Sequence, residues 1–169
     1  MRLALGLAFG VFLAADLLAN GALGADVRFS SADQAFRARK TEARAIDALK
    51  GYRAIWRDSG RTSAEAGWKL AMSCYFTGLR LTHDSDAKEK VFREGADAAI
   101  EASRLSPGCA ACEFWAAIDT VLLGETVGVF KMISSLGEVK DRLKRVIELD
   151  PAYAYGGAFR LLGMIDQRL

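Results

Sequence analysis

The chain contains only two prolines, Pro107 and Pro151, and each closes a run of helical periodicity ending in Leu-x-Pro. Proline has no backbone N–H to donate and disfavours helical geometry in the residue before it, so each marks a helix end. The two are 44 residues apart, and the stretch between them, from Cys109 to Leu149, starts and stops at equivalent places. Such an interval is the mark of a chain built by repeating a helical unit.

The apolar spacing fills in the helices. Ser31 with Gln34 forms a candidate capping box, from which a first helix is expected over about 33–57, with a break near Gly51. Trp68, Ala71, Met72, Tyr75 and Leu79 make an inward stripe on a second helix over about 63–81. A third is expected over about 86–105, where Gly95, Ala99 and Ala102 let a neighbour approach closely. From Phe114 to Leu136 only Asp119, Glu125 and Lys131 are charged. Spaced by six, they would point to three sides of one straight helix at about 100° per residue. Gly124, Gly128 and Gly137 instead predict a helix over 110–123, an apolar connection through residues 130–136 and an amphipathic helix over 138–149. A last helix is expected from about Gly157. Nowhere does the apolar pattern alternate as a strand requires.

Aligned on the prolines, the segments match one another. Trp68, Ala71-Met72 and Tyr75 precede Gly95, Ala99, Ala102 and Pro107; Trp115, Ile118-Asp119 and Leu122 precede Val139, Leu143, Val146 and Pro151; Phe159 and Leu162-Gly163 open a third unit. This follows the order of tetratricopeptide repeats, whose usual period is about 34 residues. The expected fold is all-α: about six helices of degenerate tetratricopeptide-like repeats, in antiparallel pairs stacked as a short solenoid. A generic helical bundle is the alternative.

With 169 residues, 51% of them apolar, the chain can close one domain. Residues 1–24 are expected to be a cleaved signal peptide, because Arg2 precedes the apolar run Leu3–Leu18 and small residues Ala22 and Gly24 precede Ala25. A retained anchor would need a longer run, of about 20 residues. No cysteine lies near the cleavage position, so no lipid anchor is expected, and the mature domain is placed at 25–169. The net charge of +2 carries none of the basic excess of a nucleic-acid binder, which sets that class aside.

Cys109-x-x-Cys112 stands at a helix start, where thiols are acidified, but outside the strand–helix setting of the thioredoxin-like enzymes. A structural disulfide, two packed thiols, and a redox or metal role remain open. Cys74 and His83 would complete a zinc set on paper, yet the repeat register offsets Cys74 from Cys112 by about 13 Å, so no metal site is expected. Trp68, Tyr75, Phe114, Trp115 and Phe130 are candidates to line an apolar ligand pocket, or else fill the inter-repeat core. Arg160 could hold a carboxylate by paired hydrogen bonds or brace the last helix. No carboxylate pair or Ser/His/Asp set suggests an enzyme, and no cofactor is implied.

The run C-A-A-C-E-F-W-A-A-I-D-T-V-L-L-G and the later D-P-x-Y-x-x-G-G-x-x-R-x-L-G, here Asp150, Pro151, Tyr153, Gly156, Gly157, Arg160, Leu162 and Gly163, resemble the T component of tripartite ATP-independent periplasmic (TRAP) transporters. That resemblance implies a periplasmic helical-repeat protein that partners a substrate-binding protein or another envelope protein. It also implies a homo-oligomer and a small hydrophobic ligand, to which the reading of Arg160 adds a carboxylate ligand. The expected function is an exported accessory subunit of such a transporter; a periplasmic protein–protein scaffold unrelated to transport is the alternative.

Overall fold

The structure is a computed structural model that describes residues 27–80 and 84–168; the expected signal peptide and His83 lie outside them. Every regular element among the described residues is α-helical. They are α1 (27–37), α2 (Glu42–Asp58), α3 (Ala64–Gly78), α4 (Ser85–Leu105), α5 (Ala110–Val127), α6 (Val129–Leu149) and α7 (Tyr153–Arg168). Each packs on its sequence neighbour, and α3 also meets α5, as α5 meets α7. This is the stacked arrangement of a helical-repeat solenoid. No described helix is long and apolar enough to cross a membrane.

Side-chain caps set the starts. Thr41 accepts from the Arg44 N–H at 3.4 Å, Ser63 from Ala66 at 3.3 Å and Asp84 from Ala87 at 2.8 Å, each satisfying an N–H that the helix itself leaves without a partner. The Thr41 cap explains why the single helix expected over 33–57 is two helices. Ser31 lies inside α1 and caps nothing, while the chain turns at residues 38–41. Gly51 is no break either. It lies mid-helix because α1 crosses it closely: a Cβ there would sit 2.9 Å from the Ala32 Cβ.

The central stretch also departs from expectation. There is no inserted connection, for α5 continues to Val127, and α6 begins at Val129 after a single residue, Gly128, with φ 138°. Only glycine adopts that conformation without strain. Gly124 stays helical because α6 passes against it, leaving 2.8 Å between an added Cβ and the Met132 Cα. Gly137 simply occupies an exposed helical position. After Pro151, Ala154, Tyr155 and Gly156 take left-handed geometry, so right-handed helix resumes at Gly157.

Large side chains fill the two ends of the stack and small ones its middle. Tyr52, Trp56 and Leu70 centre the first core, and Phe114, Val139, Leu143 and Val146 the second. Between them Ala71, Ala99 and Ala116 pack together, bringing α3, α4 and α5 close. Burial of each large apolar side chain contributes about 1.5–3 kcal/mol. Where α1 meets α2 and α3, Asp33 accepts from the Tyr52 hydroxyl at 2.5 Å and pairs with Lys69 at 3.2 Å. Burial, and then the Asp33 carboxylate, push the Tyr52 phenol pKa up.

Candidate functional site: an aromatic row and a buried carboxylate

The odd-numbered helices carry a continuous row of rings. Phe36 of α1 meets Phe76 of α3 at 5.3 Å between centroids, and Phe76 is 4.9 Å from Tyr75. Tyr75 lies 5.6 Å from Trp115 of α5; Trp115 is 5.3 Å from Phe114, and Phe114 is 5.3 Å from Tyr153 of α7. These separations lie in the range favoured for edge-to-face and tilted pairs. The Trp115 indole N–H donates to the Tyr153 hydroxyl at 3.1 Å, closing the α5–α7 end. At the other end the Arg39 guanidinium lies 4.0 Å from the Phe36 centroid and 4.2 Å from that of Phe76, a cation held on two ring faces. All but Phe114 remain partly exposed, so the row is a surface.

Beside it, α5, α6 and α7 enclose an apolar cavity of about 390 Å³ lined by Ile118, Val121, Met132, Leu143 and Ile165, with Tyr75 and Glu125 as polar members. Tyr75 belongs to both the row and the cavity.

The residues singled out from sequence are distributed unevenly. Tyr75, Phe114 and Trp115 share the row. Trp68 is half-buried on α3, with the Lys69 ammonium 5.8 Å from its ring, outside the row. Phe130 is 92% exposed and lines neither feature. Arg160 donates to the carbonyls of Tyr155 and Ala154, the latter at 2.9 Å, and so braces the left-handed turn. Cys109 and Cys112 are joined by a disulfide across the α5 N-terminus. Cys112 Sγ lies 3.9 Å from the Ala64 carbonyl oxygen at the start of α3. Cys74 is buried ten residues further along α3, about 15 Å away at 1.5 Å per residue. Phe36, Phe76 and Arg39 were not anticipated. Helical periodicity marks which side of a helix is inward, but not which neighbouring ring it will meet.

Asp119 is the other unanticipated group. It stands fully buried in α5, and neither carboxyl oxygen has a hydrogen-bond partner among the described residues. It fits against Gly95 of α4, where an added Cβ would lie 2.8 Å from both the Asp119 Cγ and the Cys74 Cβ. Burial pushes the Asp119 carboxyl well above the usual carboxylate range, because the low-dielectric interior disfavours its charge. It raises the Cys74 thiol as well, with the Asp119 charge adding to the effect. For an acid raised in the folded state, stability is greatest while the group is protonated in both states. It falls as pH climbs past the ordinary value of about 4 towards the folded one. Asp119→Asn is therefore expected to gain stability relative to the native chain between pH 4.5 and pH 7.5, read as diverging urea midpoints. Parallel midpoint profiles would exclude the linkage.

Four of the residues that suggested a transporter subunit have structural duties here. The Asp150 carboxylate caps the Ala152 N–H at 3.0 Å, Tyr153 meets Phe114 and Trp115, Gly157 makes room for the Phe114 ring, and Arg160 braces the turn. These contacts account for the four residues without a transporter role.

Comparison with known proteins assigns the ancestry elsewhere. The family described as Regulator of microtubule dynamics protein 1-3 matches residues 28–164. The Regulator of microtubule dynamics protein 1 of Caenorhabditis elegans is 27% identical over 123 residues, covering 73% of this chain and 51% of that protein. The chain spans about half the length of that curated relative. These matches overturn the TRAP resemblance. With it go the transport-accessory function, the periplasmic location, the substrate-binding-protein or envelope partner, and the oligomer and small ligand inferred from it. The matched region takes in α1 to most of α7, and the chain belongs to the regulator of microtubule dynamics protein 1-3 family.

Proposed function

We propose that this chain is a non-enzymatic binding module that takes a segment of a partner protein along its odd-helix face, and that this binding acts on microtubule dynamics. The observation that carries the reading is the partly exposed aromatic row from Phe36 to Tyr153, with the apolar cavity beside Tyr75. Exposed rings held rigid by their neighbours offer large contact area at little cost in conformational entropy. The cavity accepts an apolar side chain of the bound segment, the kind of pocket in which binding energy concentrates. The link to microtubules rests on family membership and on the name of the C. elegans relative.

The purified chain is expected to alter the rate of tubulin assembly or shortening in a turbidity assay. Tyr75→Ala should retain the helical circular dichroism yet require roughly tenfold more protein for the same effect, the loss of about 1.4 kcal/mol of binding. A native chain that neither alters assembly nor pellets with microtubules would reject the proposal. A Tyr75→Ala variant as active as the native chain would reject the site.

A further inference from the structure

The whole chain is nearly neutral, but its first helix pair is not. Residues 27–61 hold nine Lys and Arg against four Asp and Glu. Arg53 is satisfied by Glu94 at 2.6 Å and Arg57 by Asp58 at 3.0 Å, while Arg44 reaches Asp47 only at 3.6 Å. Among the described residues the other six, Arg28, Arg37, Arg39, Lys40, Lys50 and Arg61, have no carboxylate within ion-pair distance. All but Arg39, which is stacked on its two rings, are exposed.

Arg28, one of these six, and Arg44, whose contact with Asp47 is long at 3.6 Å, flank a groove. Between α1 and α2 lies a cleft of about 530 Å³ whose polar lining is Arg28, Ser31, Gln34, Arg44 and Asp47. Its apolar part is Ala32, Ala35, Ala38 and Ile55, with Ala32 packed on Gly51. It shares no lining residue with the aromatic row. Along α2 it runs from Arg44 to Ile55, about 16 Å at 1.5 Å per residue. That is the length of about five residues of extended chain at 3.3 Å each.

We propose that the α1–α2 groove binds an extended acidic segment of a partner protein. Arg28 and Arg44 present guanidinium groups whose paired N–H donors match carboxylates. Ser31 and Gln34 offer a hydroxyl and an amide to the backbone of the bound segment. Uncompensated positive charge around the groove speeds and orients the encounter with a negative partner. Asp47 within the lining favours a peptide over nucleic acid. Spaced carboxylates can bypass it, whereas the evenly repeated phosphates of a nucleic acid would be placed against it. Of the described residues in this helix pair, Val27 alone is an exposed large hydrophobic, which leaves little to insert into a lipid surface.

The test measures fluorescence anisotropy of labelled hexaglutamate and hexaglutamine peptides with the full chain. The glutamate peptide should bind and the glutamine peptide should not. Binding should weaken as salt is raised from about 50 mM to about 300 mM. Arg28→Glu with Arg44→Glu should lower affinity at least about tenfold, and the milder Arg28→Gln with Arg44→Gln should fall between. Lys90→Glu, at an exposed position on α4, should change nothing. Equal losses from Lys90→Glu and the groove variants would overturn the proposal. So would tighter, equally groove-dependent binding of duplex DNA or phosphatidylserine vesicles.

Discussion

Phe114→Ala is expected to lower the free energy of unfolding by about 3–4 kcal/mol, the usual range for removing a buried phenyl ring. Phe114 is only 6% exposed. Its ring stands edge-on to Trp115 and Tyr153 and occupies the space that Gly157 leaves, where an added Cβ would lie 2.8 Å from it. Gly157 and Ala158, the first right-handed turn of α7, offer no large side chain of their own to fill the gap. The melting temperature should fall by roughly 10 °C, at about 2–4 °C per kcal/mol for a chain of this size. Phe114→Leu should recover around half of the loss. A cost for Phe114→Ala below about 1 kcal/mol would mean that α7 collapses onto α5 without the ring.

Gly95→Ala should cost about 2 kcal/mol, although alanine is the better helix former by about 1 kcal/mol. The added methyl meets Asp119 and Cys74 at once, and both are fully buried. Overpacking of this kind costs about 1–3 kcal/mol, and the geometry puts Gly95 at the upper end. The diagnostic measurement is the double variant. If the methyl collides with the carboxyl group, Asp119→Ala makes room for it, and the two substitutions should couple favourably by about 1 kcal/mol or more. Additive costs would place the clash at the Cys74 Cβ instead.

Much of the fold was legible in the primary structure because helical periodicity and proline punctuation are local signals. The start of α3 near residue 63 and the small-residue face of α4, with Gly95, Ala99 and Ala102, are legible in the sequence, and α3 and α4 match them. Two of the errors share one cause. Gly51, Gly124 and Gly137 were treated as interruptions, whereas Gly51 and Gly124 are helical positions where another helix passes too close for a side chain. A glycine that breaks a helix and one that admits a neighbour look alike in sequence. Gly128, with its positive φ, is the one of the central three that does end a helix. The aromatic row was half legible. Tyr75, Phe114 and Trp115 were singled out on α3 and α5, but the partners contributed by α1 and α7 depend on inter-helix register. Asp119 was read as one of three charges that ruled out a straight helix. Its burial depends on Gly95 lying opposite, a contact across 24 positions of chain.

Among the described residues, the main contacts of each helix are with its sequence neighbour or the next but one, and this bears on how the molecule comes apart. Few contacts close a long loop, so the entropic barrier to forming any one helix pair is small and assembly should be rapid. Among the described residues no main helix contact joins the two ends of the array directly, so unfolding need not be all-or-none. Amide exchange should start at α1 and α7 and reach the alanine-packed centre of α3, α4 and α5 last.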